Sequence, residues 1–125
     1  MKKKILVYRQ AEGSVKTVQT EGMLRKELVT TPDAWVGMVS TESGFVSGWH
    51  HHGDFETFIY VISGEIKMEF GKDGKEHCIA KPGEVLYVPK ETVHRESNPR
   101  SEKQLLFVVR VGKGAPVFNV DSPET

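Results

Sequence analysis

Three adjacent imidazoles, His50-His51-His52, are the residues most capable of chemistry in this chain, with Glu56 four positions after the last of them and His94 much later. Neutral imidazole is a common ligand of divalent transition metals, and carboxylate oxygen a common companion. On a β-strand alternate side chains share a face, so His50 and His52 point the same way with Cα atoms roughly 6.5–7 Å apart. Two rings at that separation can converge on one ion at about 2.0–2.1 Å per nitrogen. His51 then faces the other way, with Trp49 on its side of the strand. Glu56 lies just past a Gly53-Asp54 turn and offers a hard oxygen donor that an apolar core would not hold unpaired. The same run also fits a solvated surface strand or a patch that titrates near neutral pH.

Positioning these groups falls to one domain, expected to span residues 1–120. The chain has 125 residues, and its hydrophobic content of 38% can support a core. Seventeen Lys and Arg balance seventeen Asp and Glu. That excludes a strongly basic surface for nucleic acid, so no nucleic-acid partner is expected. A single cysteine, Cys78, excludes an internal disulfide. No run approaches the roughly 20 apolar residues of a membrane span, and the apolar stretch Ile5–Tyr8 is too short for a signal peptide. No membrane partner is expected, and the cytoplasm is the default location.

Short runs rich in β-branched and aromatic residues, cut by Gly, Pro and Asp, predict an all-β chain. Strands are expected at Ile5–Tyr8, Val15–Gln19, Ala34–Thr41, Gly44–His52, Thr57–Ser63, Glu65–Phe70, Glu76–Ala80, Val85–Val88, Val93–Ser97 and Gln104–Arg110, with a weaker one near Pro116–Val120. Glu21–Leu28 is the single stretch whose residues argue for a helix. Ser63-Gly64 and Asp73-Gly74 suit hairpins that need positive φ, and Lys81-Pro82-Gly83-Glu84 suits a tight turn. Residues 121–125 read as a loose tail. Many short strands at this spacing favour a sandwich or a closed barrel, whose interior must hold packed side chains or one small ligand.

Two segments of this sequence resemble the motifs of the cupins, small jelly-roll barrels (double-stranded β-helices). Gly44, His50, His52, Glu56 and Gly64 match the order of the first motif. Pro82-Gly83, Pro89, His94 and Asn98 match the second. The resemblance spans Gly44 to Asn98 and has two departures. Glu91 stands where the second motif usually has Gly, and seven residues rather than six separate Glu56 from Gly64, so counting back six lands on Thr57. A one-residue bulge that re-aims Glu56 inward is the expected solution.

The resemblance implies a metal held by His50, His52, Glu56 and His94, with positions left open for water or substrate. Such a set suits Fe, Mn, Ni, Zn or Cu. It further implies a small-molecule substrate or ligand and a metal-dependent enzyme of dioxygenase or isomerase type, in which Glu56 is a ligand or a base. A non-catalytic sensor or binding module is the alternative, and a structural barrel without metal is a third. A homodimer is expected in each case, with Ile5–Tyr8 as the candidate edge. Tyr60 and Tyr87, for their polar ends, and Phe58, Met38 and Met68 are the candidates to line the cavity. Phe58, with Phe55 beside it, would help to exclude water from the site.

Overall fold

Alternation along the strands separates a buried face from an exposed one, and two sheets close face to face over the buried set. In the computed structural model, which describes residues 3–15 and 21–125, the described elements are a 3₁₀ turn at Gln10–Glu12 followed by ten strands. These are β1 (Met23–Thr31), β2 (Ala34–Thr41), β3 (His50–His51), β4 (Glu56–Ser63), β5 (Ile66–Phe70), β6 (Glu76–Ala80), β7 (Val85–Val88), β8 (His94–Ser97), β9 (Gln104–Val111) and β10 (Phe118–Asn119). All pairings between them are antiparallel. One sheet runs β1-β2-β9-β4-β7 and the other β10-β3-β8-β5-β6, the double-stranded β-helix expected from the sequence. Among the described residues no helix is long and apolar enough to cross a membrane.

The space between the sheets has two zones. Val61, Ile66 and Ala80 are buried in the core without bordering the cavity. A fully buried aliphatic side chain contributes about 1.5–3 kcal/mol by leaving water. Val39, Ile59, Met68, Val88, Leu106 and Val108 belong to the same cluster but also wall a cavity of about 500 Å³. Buried Asn98 braces the loops beside it: its Nδ2 donates to the carbonyls of Thr41, Glu42 and Glu102 at 3.2, 3.2 and 2.8 Å.

Several expectations need correction. Glu21–Leu28 is not a helix; from Met23 onward it belongs to β1, paired with β2 over Met23↔Thr41 to Thr31↔Ala34. Its helix propensity amounts to tenths of a kcal/mol per residue, and a full ladder on an existing sheet outweighs that. Gly22, at φ 88°, also turns the chain sharply just before β1. Ile5–Tyr8 joins no strand and is exposed. Of Val15–Gln19, Val15 joins no strand and residues 16–20 lie outside the described residues. Gly44–His52 is irregular except for His50–His51 and a bridge from Val46 to Ser97, while Pro116–Val120 contributes Phe118–Asn119. The tail expected to be loose is tied at one point, where Glu124 bridges to Lys72.

Two hairpin turns follow the sequence reading, with Gly64 at φ 78°, Asp73 at 59° and Gly74 at 68°. Glu91 is the exception that the family pattern exposes. It adopts φ 55°, and its N–H donates to the Gly53 carbonyl at 2.9 Å. A left-handed non-glycine residue costs about 1 kcal/mol or more. Glu91→Gly is therefore expected to stabilise the protein by about 0.5–1 kcal/mol in urea denaturation. An unchanged or lowered midpoint would contradict the strain.

Candidate metal centre

His50 and His94 are direct partners across the β3–β8 ladder, so the two distant segments meet as a cross-strand pair. His52 follows His50 by two and shares its face. The ring centroids lie 4.4 Å apart for His50 and His94, and 5.1 Å for each pair that includes His52. One potential ligand atom from each residue lies within 4.8 Å of the others, and all three residues are buried. Among the described residues no other group of His, Cys, Asp or Glu meets that criterion.

Each ring is fixed through its other nitrogen. His50 Nδ1 lies 2.9 Å from the Gly48 carbonyl, His52 Nδ1 2.8 Å from that of Pro116, and His94 Nδ1 2.8 Å from that of Thr92. A carbonyl only accepts, so the proton sits on each Nδ1 and the Nε2 lone pairs are left for a cation. The orphaned atom confirms the fit: His94 Nε2 is shielded from solvent and has no hydrogen-bond partner. A divalent transition ion on the three Nε2 atoms would satisfy it, and when bound would supply an electrophile with open positions.

Burial keeps two of the rings neutral. Burial, then the Arg110 charge and the His94 ring, push the His52 imidazole down to about 2. Burial and the neighbouring His50 also lower His94, against the opposing pull of Glu96. These are the protonation states that ligation needs.

The remaining sequence candidates divide by strand parity. Thr57 is 2% exposed and Ile59 4%, whereas Phe58 is 39% and Tyr60 44% exposed. Glu56 shares the outer face with Phe58, and its carboxylate accepts a hydrogen bond from the Tyr87 hydroxyl, which raises the Tyr87 pKa above the usual phenol value. Glu56 is therefore not brought to the histidines. The strand does carry an irregularity, but between Val61 and Ser63, too late to turn Glu56 inward. Phe58, Tyr60 and Tyr87 lie outside the cavity for the same reason. Met68 lines it; Met38 is buried but does not, because it alternates with the inward Val39. His51 stacks on Phe118 at 4.9 Å, away from the site. Trp49 lies under the Arg95 guanidinium at 4.7 Å.

Inside the cavity stand polar groups the sequence reading did not single out: Arg25, Thr57, Glu96 and Arg110. Glu96 follows His94 by two, and Arg110 follows Leu106 and Val108 in the same phase, so alternation alone pointed to both. Arg25 was hidden by the helical reading of its segment.

Three buried imidazoles positioned to hold a metal ion inside a double-stranded β-helix define a class of small barrels. Comparison with known proteins agrees: residues 37–111 match the family model described as Cupin domain, and the chain belongs to the cupin family. An uncharacterised Bacillus subtilis protein, YdbB, is 45% identical over 47 residues, a match that spans 38% of this chain and 40% of that relative. A Klebsiella pneumoniae protein with a double-stranded β-helix domain superposes with a TM-score of 0.71 at 18% identity, covering 98% of this chain and all of that one. Bacillus subtilis oxalate decarboxylase superposes with a TM-score of 0.73 at 22% identity over 90% of this chain and 31% of its own, and another structure of it is described for its Mn(II) centres.

The His52 shift sets a pH dependence. In the unfolded chain a histidine takes up a proton below about pH 6.5, while folded His52 does not. Its contribution is thus nil above that pH and destabilises the fold as pH falls below it. The thermal midpoint of metal-free protein is expected to drop between about pH 7 and pH 5, and to drop less in His52→Gln. Equal slopes for the two proteins would contradict the assignment.

Proposed function

We propose that this cupin is a metal-dependent enzyme acting on a small molecule, of dioxygenase or isomerase type, with one divalent transition metal on His50, His52 and His94. The observation that carries the reading is the partnerless Nε2 of His94, buried beside the His50 and His52 rings at the edge of a cavity with aliphatic walls. Apolar walls exclude water and strengthen every charge interaction at the ion. Glu56 is assigned neither ligation nor base chemistry, since it lies on the outer face. Glu96 is the carboxylate that lines the cavity, and it is the group placed to take or return a proton within it.

Protein purified without a chelating tag is expected to contain about one equivalent of Fe, Mn, Ni, Zn or Cu by elemental analysis, and His94→Ala to lose it. Glu56→Gln should retain it. Zero metal, with a thermal midpoint unmoved by any of these ions, would leave the structural barrel in place of the enzyme. Oxygen uptake by the Fe(II)-loaded protein on phenols, thiols and diketones, beside a product screen for isomerisation, reads the activity. Ligand binding with neither signal would assign the sensor module instead.

The same reading includes a homodimer. Ile5 is 100% exposed, and Leu6, Val7 and Tyr8 follow it as an exposed run without strand partners. The outer face of β4 and β7 exposes Phe58, Tyr60, Val85 and Tyr87. A second copy related by a two-fold axis covers both apolar surfaces at once. Light scattering after size exclusion is expected to give twice the chain mass; a monomer at micromolar concentration would contradict it.

A further inference from the structure

We infer that Arg110, directly across from Thr57 on the β4–β9 ladder, forms a carboxylate-binding subsite beside the histidines, and that the ligand of this cavity is a small organic acid. The inference rests on the metal-dependent reading above and names the substrate class for it.

The first observation is a second orphaned group. Arg110 Nε is shielded from solvent and has no hydrogen-bond partner, although the residue lines the cavity. Its guanidinium carbon lies 5.1 Å from the centre of the Trp35 ring, which restrains the plane of the fork. Thr57, its partner in register, also carries a buried and partnerless hydroxyl, Oγ1. Two neighbouring donors without acceptors, both bordering an open volume, are arranged for a ligand that accepts. A carboxylate does so, taking parallel N–H bonds from a guanidinium fork.

Charge leads to the same ligand. The three imidazoles are neutral donors, and with Glu56 on the outer face they bring no anion to a divalent ion. Arg110 and Arg25 add two more positive groups to the cavity lining, against the single carboxylate of Glu96. Burial, with Arg25 next in effect, pushes the Arg110 pKa down to about 10, so the guanidinium stays charged at neutral pH. A divalent ion and Arg110 together exceed the one carboxylate in the cavity lining, and a cavity with aliphatic walls screens the surplus weakly, so an anion is bound strongly there. The walls decide which anion. Ile59, Val88, Leu106 and Val108 offer a surface for a hydrocarbon body and none for a fully hydrated ion. An organic carboxylate fits these walls better than inorganic phosphate.

Calorimetry on the Mn(II)-loaded protein, with pyruvate and its neutral counterpart pyruvamide as probes, tests the assignment. Pyruvate is expected to bind about tenfold or more tightly than pyruvamide, a comparison that needs no variant. Arg110→Gln should cut the difference about tenfold while metal content stays near one equivalent, the ion alone retaining a residual preference, and Arg110→Lys should restore part of it. Equal affinities in the unaltered protein, or a preference for pyruvate that is unchanged in Arg110→Gln, would overturn the subsite. Phosphate bound more tightly than pyruvate would overturn the organic acid. If no metal binds, the reading under Proposed function fails on its own. The same pair of probes on metal-free protein then decides the subsite, a preference lost in Arg110→Gln supporting it and none overturning it.

Discussion

Three hydrogen bonds from imidazole Nδ1 to backbone carbonyls govern everything chemical in this barrel. The carbonyls of Gly48, Thr92 and Pro116 come from three separate stretches of chain, and each holds one ring in a single tautomer and direction. Without them a buried histidine would rotate or lose its proton to another partner. With them the Nε2 lone pairs are left available to a cation, and that of His94 is buried without a partner. The bond from His52 to Pro116 matters most for assembly, because it binds the start of the site to a segment 64 residues later.

Strand alternation is the second constraint, and it distributes roles without regard to chemical type. A one-residue step on β4 exchanges Glu56 for Thr57 at the cavity wall. The carboxylate then bonds to Tyr87 in solvent while a hydroxyl sits unpaired inside. The same alternation on β9 carries Leu106, Val108 and Arg110 inward. A cavity wall that presents a hydroxyl and an arginine where Glu56 was expected differs from a three-histidine, one-carboxylate centre. An ion held there would have weaker internal charge compensation, which favours a ligand that brings negative charge.

Much of this was legible from residues alone, and the misses have identifiable causes. Ala34–Thr41, Glu76–Ala80 and Val85–Val88 were readable because each is a short stretch bounded by turn residues. Spacing put His50 and His52 on one face, and the resemblance to the cupin motifs added His94. Its geometry was not readable, because the Nδ1 acceptors are backbone atoms whose position depends on the closed sheets. Glu21–Leu28 was misread because good helix formers also tolerate a strand when a partner such as β2 is present, and that error concealed Arg25. The outward turn of Glu56 was signalled by the count to Gly64; placing the irregularity at Val61–Ser63 required the ladder with β9.

The central claim is that the Nε2 atoms of His50, His52 and His94 hold one ion, with Glu56 not among its ligands. Anomalous diffraction from metal-loaded crystals measures this most directly. The account predicts a single strong peak at about 2.0–2.2 Å from all three Nε2 atoms, with the Glu56 carboxylate still on Tyr87. A peak coordinated by Glu56, ligation through any Nδ1, or rings turned apart with no shared peak would contradict it.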